Sequence, residues 1–465
     1  MAGEWMETTL GEVVEDGGGL IQTGPFGSQL HASDYKTEGI PVIMPVNISS
    51  DRVDVTDIAR ISREDAGRLS KHLVEPGDIV YSRRGDVTRK ALITEDETGM
   101  FCGTGCLLVR PGKEIDPKFL KYHLSSPTNQ AWIIRHAVGA TMPNLNTGIL
   151  GDVPLRVPSP EMQKSIAHIL GTLDDKIELN RRMNVTLESM ARALFKSWFV
   201  DFDPVIDNAL AAGNPIPEPL SARAQTRRDL GTKRKPLPKN IQKLFPSSFV
   251  FDDAMGWMPE GWEVSSIGEE VDSVGGGTPS TKNCDYWEDG EHSFCTPKDM
   301  SRLDSMVLLD TERHLTDAGV EKINSGVLPV RTLLMSSRAP IGYLAVSEIP
   351  VSINQGIIAM LPSDTYGPVY LRCWVEFNMG RIEDRANGST FQEISKKNFR
   401  PIPKMVPSPS LLAVFNDQSE AIYLRCVRAC KDISTLTKLR DTLLPKLLSG
   451  ELCIPEAEKL VASSL

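Results

Sequence analysis

Two sets of polar side chains follow apolar, strand-like segments, one set in each half of the chain. Arginine can donate a bidentate pair of hydrogen bonds to guanine, asparagine and glutamine can read adenine, and serine, threonine and lysine commonly hold phosphates. These residue types therefore suit the reading of double-stranded DNA. The first half contributes Thr23, Ser28, Tyr35, Lys36, Arg83, Arg84, Arg89, Lys90, Thr141, Asn144 and Asn146. The second half contributes Thr278, Ser280, Thr281, Lys282, Lys298, Ser337, Arg338, Ser389, Gln392, Lys396, Lys397 and Arg400.

For any single one of these residues, an ordinary hydrophilic loop is the simpler interpretation. The two sets nevertheless occupy similar places in the two halves. Arg84 and Arg338 each come directly after an apolar segment that is typical of a buried strand. This coincidence favours DNA recognition over two unrelated loops.

Catalytic chemistry finds no support in the sequence. The glycines of Gly275-Gly-Gly-Thr-Pro-Ser-Thr-Lys282 evoke a phosphate-binding loop, but threonine precedes the lysine where the Walker signature requires glycine. The segment Asp201-Phe-Asp-Pro204 evokes the catalytic tetrapeptide of amino-methyltransferases, but it lacks the consecutive prolines and the aromatic residue of that motif. We interpret it as a helix stop. The seven histidines form no metal-binding pair at helical spacing, so we expect a binding protein that is not itself an enzyme.

The composition is typical of a globular protein with several domains. The chain has 465 residues, of which 40% are hydrophobic, enough for two or more packed domains. A formal charge of −10 argues against a nonspecific polycation, but it is compatible with local basic surfaces and with acidic faces that meet partner proteins. The acidic N-terminal residues and the lack of a membrane-length apolar run predict a cytoplasmic protein with no membrane contact.

The eight cysteines are scattered along the chain. The nearest pairs, Cys102 with Cys106 and Cys426 with Cys430, lack the further clustered ligands that a structural zinc site needs. We therefore interpret the cysteines as free thiols in the core and predict no metal site.

The two halves of the chain contain similar segments in the same order, which indicates an internal repeat of about 250 residues. The matched pairs are Trp5–Glu12 with Trp262–Glu269, Asp78–Arg84 with Arg331–Arg338, Gly105–Pro111 with Gly356–Pro362, and Gly139–Pro160 with Gly388–Pro409. Each repeat begins with short β-rich segments separated by turn residues and closes with a long helix. Each repeat is therefore predicted to be an α+β unit.

A long amphipathic helix is predicted from Pro160 to Val200, with Ser159 as its N-cap and Pro204 beyond its end. Its apolar seam consists of Leu173, Ile177, Leu187, Ala191 and Leu194, with Met183, Met190 and Trp198 alongside. A second seam, which predicts a partner helix, consists of Ile422, Cys426, Ala429, Ile433, Leu436, Leu443 and Leu447. Asn180 and Asn184 fall within the first seam, where they either fix the register of a helix pair or face solvent on an ordinary core helix.

A basic segment follows the first long helix and is predicted to be a linker with short helices. Its cations touch a phosphate backbone, lie on a solvated surface segment or contact a partner, and the sequence leaves these three alternatives open. The predicted division of the chain is 1–158 for the first β-rich domain, 159–204 for the central helix, 205–255 for the linker, 256–406 for the second β-rich domain and 407–465 for the C-terminal helix and tail.

The segment Ala193-Leu-Phe-Lys-Ser-Trp-Phe-Val-Asp-Phe-Asp-Pro-Val205, preceded by Pro160-Glu-Met-Gln163 and the long helix, resembles the central conserved region of type I restriction-modification specificity subunits. The likeness covers the whole chain. It departs from the family pattern at the second helix entry, where Pro409-Ser-Leu-Leu replaces the Pro-x-x-Glu-Gln style of the family. The resemblance implies an α+β fold with two β-rich target-recognition domains in tandem repeat, separated and joined by two long helices that pair as an antiparallel coiled coil.

The same resemblance implies a function in host defence. Each recognition domain would read one half of a bipartite DNA target, and the helix pair would set the gap between the halves. Two methylation subunits would dock on the conserved regions, and endonuclease/translocase subunits would add cleavage. S-adenosylmethionine, ATP and Mg would bind to those partners.

Two alternatives remain open at the level of sequence. A single-chain methyltransferase or nuclease would act on DNA without partners, and the missing motifs argue against it. A coiled-coil scaffold for a multisubunit complex would bind partners through the helices without reading DNA. The target sequence cannot be deduced, because readout depends on loop geometry and DNA shape as well as on residue type.

Overall fold

The computed structural model describes residues 5–49, 51–139, 143–233, 236–388 and 392–464. The chain divides into two compact units. The first unit comprises Met1–Ile177 and Thr435–Leu465, and the second comprises Glu178–Ser434. Within the described ranges, no helix is both long and apolar enough to cross a membrane.

The described part of the first repeat contains twelve short strands and five α-helices. The strands are β1 (Met6–Thr9), β2 (Leu20–Thr23), β3 (Tyr35–Lys36), β4 (Ile40–Ile43), β5 (Ile48–Ser49), β6 (Arg52–Val53), β7 (Arg60–Ile61), β8 (Ile79–Ser82), β9 (Lys90–Leu92), β10 (Phe101–Cys102), β11 (Cys106–Arg110) and β12 (Pro154–Val157). The helices are α1 (Leu10–Asp16), α2 (Arg63–Arg68), α3 (Pro117–Ser125), α4 (Pro127–His136) and α5 (Thr147–Gly151).

Two four-stranded sheets form the body of this repeat. One has the order β2-β11-β8-β9 and is antiparallel, and the other has the order β10-β4-β7-β3 with β10 parallel to β4. The central strands β8 and β11 are apolar on both faces and buried along nearly their whole length, as expected for strands covered on both sides. Strand β1 pairs with β12 and so joins the two ends of the repeat.

The predicted central helix is observed as α6 (Pro160–Phe195), followed by a π-helical segment, Lys196–Val200. The Ser159 hydroxyl caps its start, accepting from the Met162 N–H at 3.5 Å. The chain turns at Phe202, which has φ of 52°, and Pro204 then lies in the first turn of a new helix, α7 (Asp203–Ala212). The predicted stop is therefore confirmed, but Pro204 begins the next helix and the turn itself is made at Phe202. Two further short helices, α8 (Ser221–Leu230) and α9 (Lys239–Gln242), confirm that the linker is partly helical.

Among the residues described in the second repeat, twelve strands and six α-helices precede the long helix. The strands are β13 (Phe249–Asp252), β14 (Gly256–Pro259), β15 (Glu263–Ser266), β16 (Ser273–Gly275), β17 (His292–Cys295), β18 (Val307–Leu308), β19 (Arg313–Leu315), β20 (Leu333–Ser337), β21 (Ile341–Ser347), β22 (Val351–Ile353), β23 (Ile357–Met360) and β24 (Pro403–Val406). The helices are α10 (Ile267–Glu270), α11 (Pro297–Met300), α12 (Asp317–Val320), α13 (Pro368–Phe377), α14 (Met379–Glu383) and α15 (Lys396–Phe399). The chain ends with α16 (Pro409–Ser449) and α17 (Ile454–Ala462).

The predicted repeat is confirmed by strand order and by local detail. The sheet β16-β23-β20-β21 repeats the order β2-β11-β8-β9, and β22-β17-β19 repeats β10-β4-β7, including the parallel pair. Strand β15 pairs with β24 as β1 pairs with β12. The first helix of each repeat starts with the same capping box, Thr9 with Glu12 in one and Ser266 with Glu269 in the other.

The two long helices pack against each other within each unit. In the second unit, the Asn184 Nδ2 donates to the Cys430 Sγ at 3.2 Å, and the Phe195 and Phe415 rings meet edge to face at 5.9 Å. Contacts nearer the end of α6 thus involve residues nearer the start of α16, so the pair is antiparallel. In the first unit, the Arg440 guanidinium contacts the Asp174 carboxylate at 2.8 Å.

Most residues of both seams are buried as predicted, but Leu194, Ile422 and Ile433 are only partly buried. The residues beside the first seam differ in exposure. Asn180 and Asn184 are 4% and 1% exposed, which rejects the solvent-facing interpretation. Trp198 is buried, whereas Met183 and Met190 lie on the exposed face of α6.

The cysteine prediction is correct for pairing but only partly correct for burial. All eight cysteines are free thiols. Five are buried and Cys430 is partly buried, but Cys284 and Cys453 are exposed and so are not core residues. In the ranges that the structure describes, no group of His, Cys, Asp and Glu side chains is placed to hold a metal ion.

Candidate nucleic-acid interface

In the first unit, three loops meet at one end of the strands of the sheet β2-β11-β8-β9. We call this row of strand ends, and its counterpart in the second unit, the edge of the sheet. The Arg83 N–H donates to the Gly105 carbonyl at 2.8 Å, and the Gly24 N–H donates to the Cys106 carbonyl at 2.9 Å. The end of β8, the start of β11 and the end of β2 are therefore adjacent. The loops that leave this edge carry Ser28, Arg83, Arg84 and Arg89 of the predicted DNA-binding residues.

Close backbone contact fixes the loop Thr23-Gly-Pro-Phe-Gly-Ser28. A Cβ atom added to Gly24 would lie 2.1 Å from the Gly103 carbonyl oxygen, so only glycine fits there. Thr23 ends β2 and is half-buried, while Ser28 is exposed on the turn that follows. The fixed start of the loop gives the exposed residues beyond it a defined position.

Arg83 and Arg84 play different parts at this edge. The Arg83 Nε donates to the Asn144 Oδ1 at 3.3 Å and to the Leu145 carbonyl at 3.2 Å, so this side chain ties β8 to the loop before α5. Arg84 forms a β-bridge with Asn144 through the backbone, and its side chain is exposed. Among the described residues, the Arg84 side chain has no hydrogen-bond or ion-pair partner. Arg84 therefore presents an exposed guanidinium at this edge and remains a candidate for DNA contact.

Tyr35 and Lys36 lie on β3, in the other sheet. The Tyr35 hydroxyl is 3.9 Å from the Met44 Sδ, and burial raises the pKa of this phenol, so it stays protonated. Lys36 is exposed and its Nζ donates to the Ser33 carbonyl at 3.0 Å. Thus both remain candidates, Lys36 as an exposed cation and Tyr35 as a half-buried donor.

Lys90 is removed from the candidate set because it is buried. Its side chain is 1% exposed and its ammonium lies 3.3 Å from the Asp51 carboxylate. Burial lowers the pKa of Lys90, whereas the charge of Asp51 raises it. The sequence pattern placed this lysine on a surface turn, but it begins β9 and faces inward, where its charge is paired.

The remaining predictions in the first half have mixed outcomes. Arg89 is exposed and pairs with Asp86 at 3.3 Å on the hairpin after β8. The Asn146 Oδ1 accepts from the Ile149 N–H at 2.8 Å and caps α5, so this oxygen already has a structural role. Thr141 lies outside the described residues.

The second unit repeats this edge with different side chains. The Ser337 N–H donates to the Gly356 carbonyl at 2.8 Å, as Arg83 does to Gly105. A Cβ atom added to Gly276 would lie 1.9 Å from the Ile353 carbonyl oxygen, which reproduces the close approach at Gly24. Ser337 itself is 2% exposed, so the prediction that it contacts DNA is wrong in this structure: it is the last residue of a buried strand.

Two of the predicted cations of the second half, Arg338 and Lys298, are paired with carboxylates. The Arg338 Nη1 lies 3.6 Å from the Glu393 Oε2, with the two side chains 36% and 46% exposed. The Lys298 Nζ lies 2.9 Å from the Glu312 Oε2, and Arg302 contacts the same oxygen at 2.7 Å. These pairs are solvent-accessible, so each contributes little to stability and can open toward another partner.

The other predicted residues of the second half lie on exposed segments near the same sheet. Thr278 follows β16 and its hydroxyl donates to the Gln355 Oε1. Ser280, Thr281 and Lys282 continue this exposed segment, and Gln392 is exposed beside Glu393. Ser389 lies outside the described residues.

Lys396, Lys397 and Arg400 belong to α15 or follow it directly, and all three are exposed. The Arg400 guanidinium donates to the Ser273 hydroxyl at 3.1 Å and to the Ser273 carbonyl, so it ties the end of α15 to β16. Arg400 thus has a structural contact, whereas the two lysines remain exposed cations.

Three residues of the second edge escaped the sequence analysis: Glu393, Gln355 and Glu312. The residue types that suit DNA are mainly hydrogen-bond donors, whereas Glu393 and Glu312 are carboxylates that face such donors. The repeat itself points to Glu393, because this residue stands where Asn144 stands in the first half. The pairing of Lys298 with Glu312, fourteen residues away in the chain, carries no such signal.

The chain matches known proteins over most of its length. A family model described as "Type I restriction modification DNA specificity domain" matches residues 2–189 and 259–430. The type I restriction enzyme MjaIX specificity subunit of Methanocaldococcus jannaschii is 31% identical over 476 residues, covering 97% of each chain. The type I restriction enzyme HindI specificity subunit of Haemophilus influenzae is 29% identical over 417 residues, covering 84% of this chain and 89% of that protein.

A solved structure has the same fold. The type I restriction-modification system S subunit of M. genitalium superposes with a TM-score of 0.51 at 18% identity and covers 96% of each chain. The two family matches fall on the two repeats described above, and both the fold and the DNA-reading interpretation agree with them. The chain belongs to the family of type I restriction-modification DNA specificity subunits.

Proposed function

We propose that each unit reads one half of a bipartite DNA sequence with the sheet edge that carries Arg84 in the first unit and Arg338 in the second. The observation that supports this most is that the backbone bonds at the two edges match position for position. Arg84 bridges to Asn144 as Arg338 bridges to Glu393, and the same pair of backbone hydrogen bonds closes the loop between Val138 and Asn144 and the loop between Asn387 and Glu393. Two similar frames with different side chains suit two readers of different sequence.

The long helices serve this function in two ways in our proposal. The antiparallel pair sets the gap between the half-sites, and the conserved helical regions dock two methylation subunits. Endonuclease/translocase subunits join the assembly for cleavage, and S-adenosylmethionine, ATP and Mg are bound by the partners. The chain itself supplies specificity and performs no catalysis. The matched relatives, which are named as specificity subunits of restriction enzymes, support this division of labour.

Exchange of one recognition domain tests the proposal. Replacing residues 262–406 with the equivalent domain of a relative should change one half of the methylated sequence and leave the other half unchanged. Genome-wide mapping of methylated positions, with and without the exchange, provides the measurement. A scaffold that does not read DNA would leave both halves unchanged, and a single composite reader would change both.

The gap-setting role has a separate test. We would insert one heptad after Asn184 in α6 and one at the matching level of α16, between Ile422 and Leu443, which preserves both seams. Each insertion adds roughly 10 Å of helix, or up to about three base pairs of DNA. The preferred gap should lengthen accordingly, or binding should fail because the added twist turns one half-site away. An unchanged gap at full affinity would contradict the ruler role and leave the recognition domains unaffected.

A further inference from the structure

At the sheet edge that we propose reads DNA, one position has a side chain of different charge in the two units. Asn144 and Glu393 occupy this position, and each bridges through its backbone to the arginine that follows the central strand. Neighbouring bonds match as well: the Leu145 N–H donates to the Arg83 carbonyl at 2.9 Å, and the Ile394 N–H donates to the Ser337 carbonyl at 3.0 Å. The backbone is therefore the same, and the side chain alone differs.

The neighbouring side chains differ in a way that accompanies this exchange. In the first unit, Arg83 occupies the Asn144 Oδ1, and Arg84 extends into solvent. In the second unit, a buried serine replaces Arg83, so the Glu393 carboxylate faces Arg338 instead, at 3.6 Å. The second reader thus presents an arginine and a glutamate side by side at its edge.

We propose that Glu393 is a specificity-determining residue of the second recognition domain, which reads a guanine–cytosine pair together with Arg338. The inference rests on the proposed function. An arginine can donate two hydrogen bonds to guanine O6 and N7, and a glutamate can accept one from the cytosine N4 amino group. The two groups of one base pair lie next to each other in the major groove, as these two side chains lie next to each other in the protein.

The carboxylate also lowers affinity for DNA that lacks the target sequence. A negative charge at the interface repels phosphates, so it lowers affinity for every duplex in which no amino group repays its desolvation. It further competes for Arg338, because the ion pair must loosen before the guanidinium can bind a phosphate. Glu393 should therefore weaken nonspecific binding and leave cognate binding intact. The first unit, with the neutral Asn144, lacks this device.

The test uses the full-length chain with three variants at matched positions. E393Q removes the charge and preserves the shape of the side chain, E393D retains the charge, and N144E introduces the charge into the first reader. Each is bound to a library of duplexes in which both half-sites are randomised, and to one fixed duplex without a target over a range of salt concentrations. Unchanged thermal unfolding of each variant shows that the fold is retained.

E393Q should relax the guanine–cytosine preference at one base pair of the second half-site by about fivefold or more, because one mismatch is worth at least about that factor. It should also bind the nontarget duplex more tightly, with a salt dependence steeper by up to about one phosphate contact. E393D should keep both the preference and the shallow salt dependence. N144E should weaken nontarget binding and alter the first half-site only.

Three results would overturn the inference. If E393Q leaves both the second half-site and the salt dependence unchanged, Glu393 is not a specificity residue, although the proposed function stands. A uniform loss of binding to all duplexes would assign Glu393 a structural role. If the unmodified chain shows no preference in either half-site, the proposed function itself fails.

Discussion

Asn144 in the first unit and Glu393 in the second unit occupy the same position in the fold. Asn144 bridges through its backbone to Arg84, and Glu393 bridges in the same way to Arg338. The backbone hydrogen bonds around the two positions are the same, including the bonds that join Val138 to Asn144 and Asn387 to Glu393. Because main-chain groups make these bonds, they do not depend on which side chain is present. The backbone arrangement at this edge and the side-chain chemistry that it presents are therefore specified separately.

A second contrast concerns the contact between each domain and its long helix. In the first unit the Tyr122 hydroxyl, on α3, donates to the Asp174 carboxylate on α6 at 2.6 Å. In the second unit the Tyr423 hydroxyl, on α16, donates to the Glu348 carboxylate of the domain at 2.7 Å. Asp174 and Tyr423 stand at the same distance from the first proline of their helices. The two units thus make the same kind of bond with donor and acceptor exchanged.

The largest effect is expected at Gly24 and Gly276, where the backbone lies closest to a neighbouring carbonyl oxygen. Gly24→Ala and Gly276→Ala should each destabilise their own unit by about 3 kcal/mol, because the added Cβ would overlap a carbonyl oxygen of a neighbouring strand end. Hydrogen exchange of peptides from each unit measures the effect. The other unit should keep its protection.

Each unit offers a matched control for this prediction. A Cβ atom added to Gly27 or to Gly277 meets nothing within 4 Å, and both lie in the same loops as the tight glycines. Gly27→Ala and Gly277→Ala should therefore leave protection unchanged. A loss in only one of the two tight variants would show that the frames are less alike than their bonds suggest.

The sequence predicted the order of strands and helices well, but it predicted poorly which polar side chains are exposed. The reason is physical. Strand order, capping boxes and long helices depend on local patterns that both halves carry, so comparing the halves reveals them. Whether a polar residue near a strand end faces solvent depends on its partners far away in the chain. Lys90 is buried because Asp51 neutralises it, and Ser337 is buried because β20 runs one residue longer than β8. Neither fact can be read from the residues around the site.

The second prediction concerns the contact on α6. Burial would raise the pKa of the Asp174 carboxyl, but the charge of Lys121 and hydrogen bonds from Lys121, Tyr122 and Arg440 lower it to about 2, against an ordinary value of 3.8. A carboxyl with a lowered pKa stabilises the fold fully above its unfolded pKa, and this contribution is lost as the pH falls through the folded pKa. The shift corresponds to about 2 kcal/mol at neutral pH.

Asp174→Asn should therefore lower the free energy of unfolding of the first unit by about 2 kcal/mol at pH 7. The difference from the unmodified chain should shrink between about pH 4 and pH 2. Hydrogen exchange across this pH range provides the measurement. Tyr423→Phe removes the corresponding bond of the second unit and should cost that unit about 1 kcal/mol at pH 7. A difference that stays constant down to pH 2 would contradict the assigned role of the Asp174 charge.

The third prediction compares the two arginines directly. Arg84→Ala and Arg338→Ala should each reduce binding by about 1 to 3 kcal/mol and relax preference in one half-site only. The loss should be smaller for Arg338, because its removal also relieves the cost of opening the pair with Glu393. Selection from randomised duplexes gives the preference, and a salt series separates base contact from phosphate contact. An equal loss on all sequences with a shallower salt dependence would assign the arginine to phosphate.

The smallest effect is expected at the start of the short helix after each loop. The Asn146 Oδ1 caps α5, and the Ser395 hydroxyl caps α15 by accepting from the Asn398 N–H at 3.3 Å. Because a cap satisfies an otherwise unpaired N–H, Asn146→Ala and Ser395→Ala should each cost about 1 kcal/mol of local stability. Asn146→Asp decides between this role and the predicted DNA contact. Aspartate caps a helix as well as asparagine does, so Asn146→Asp should retain the hydrogen-exchange protection of α5 if the cap is the main role of this residue. Loss of DNA binding with intact protection would instead show that the exposed amide contacts DNA.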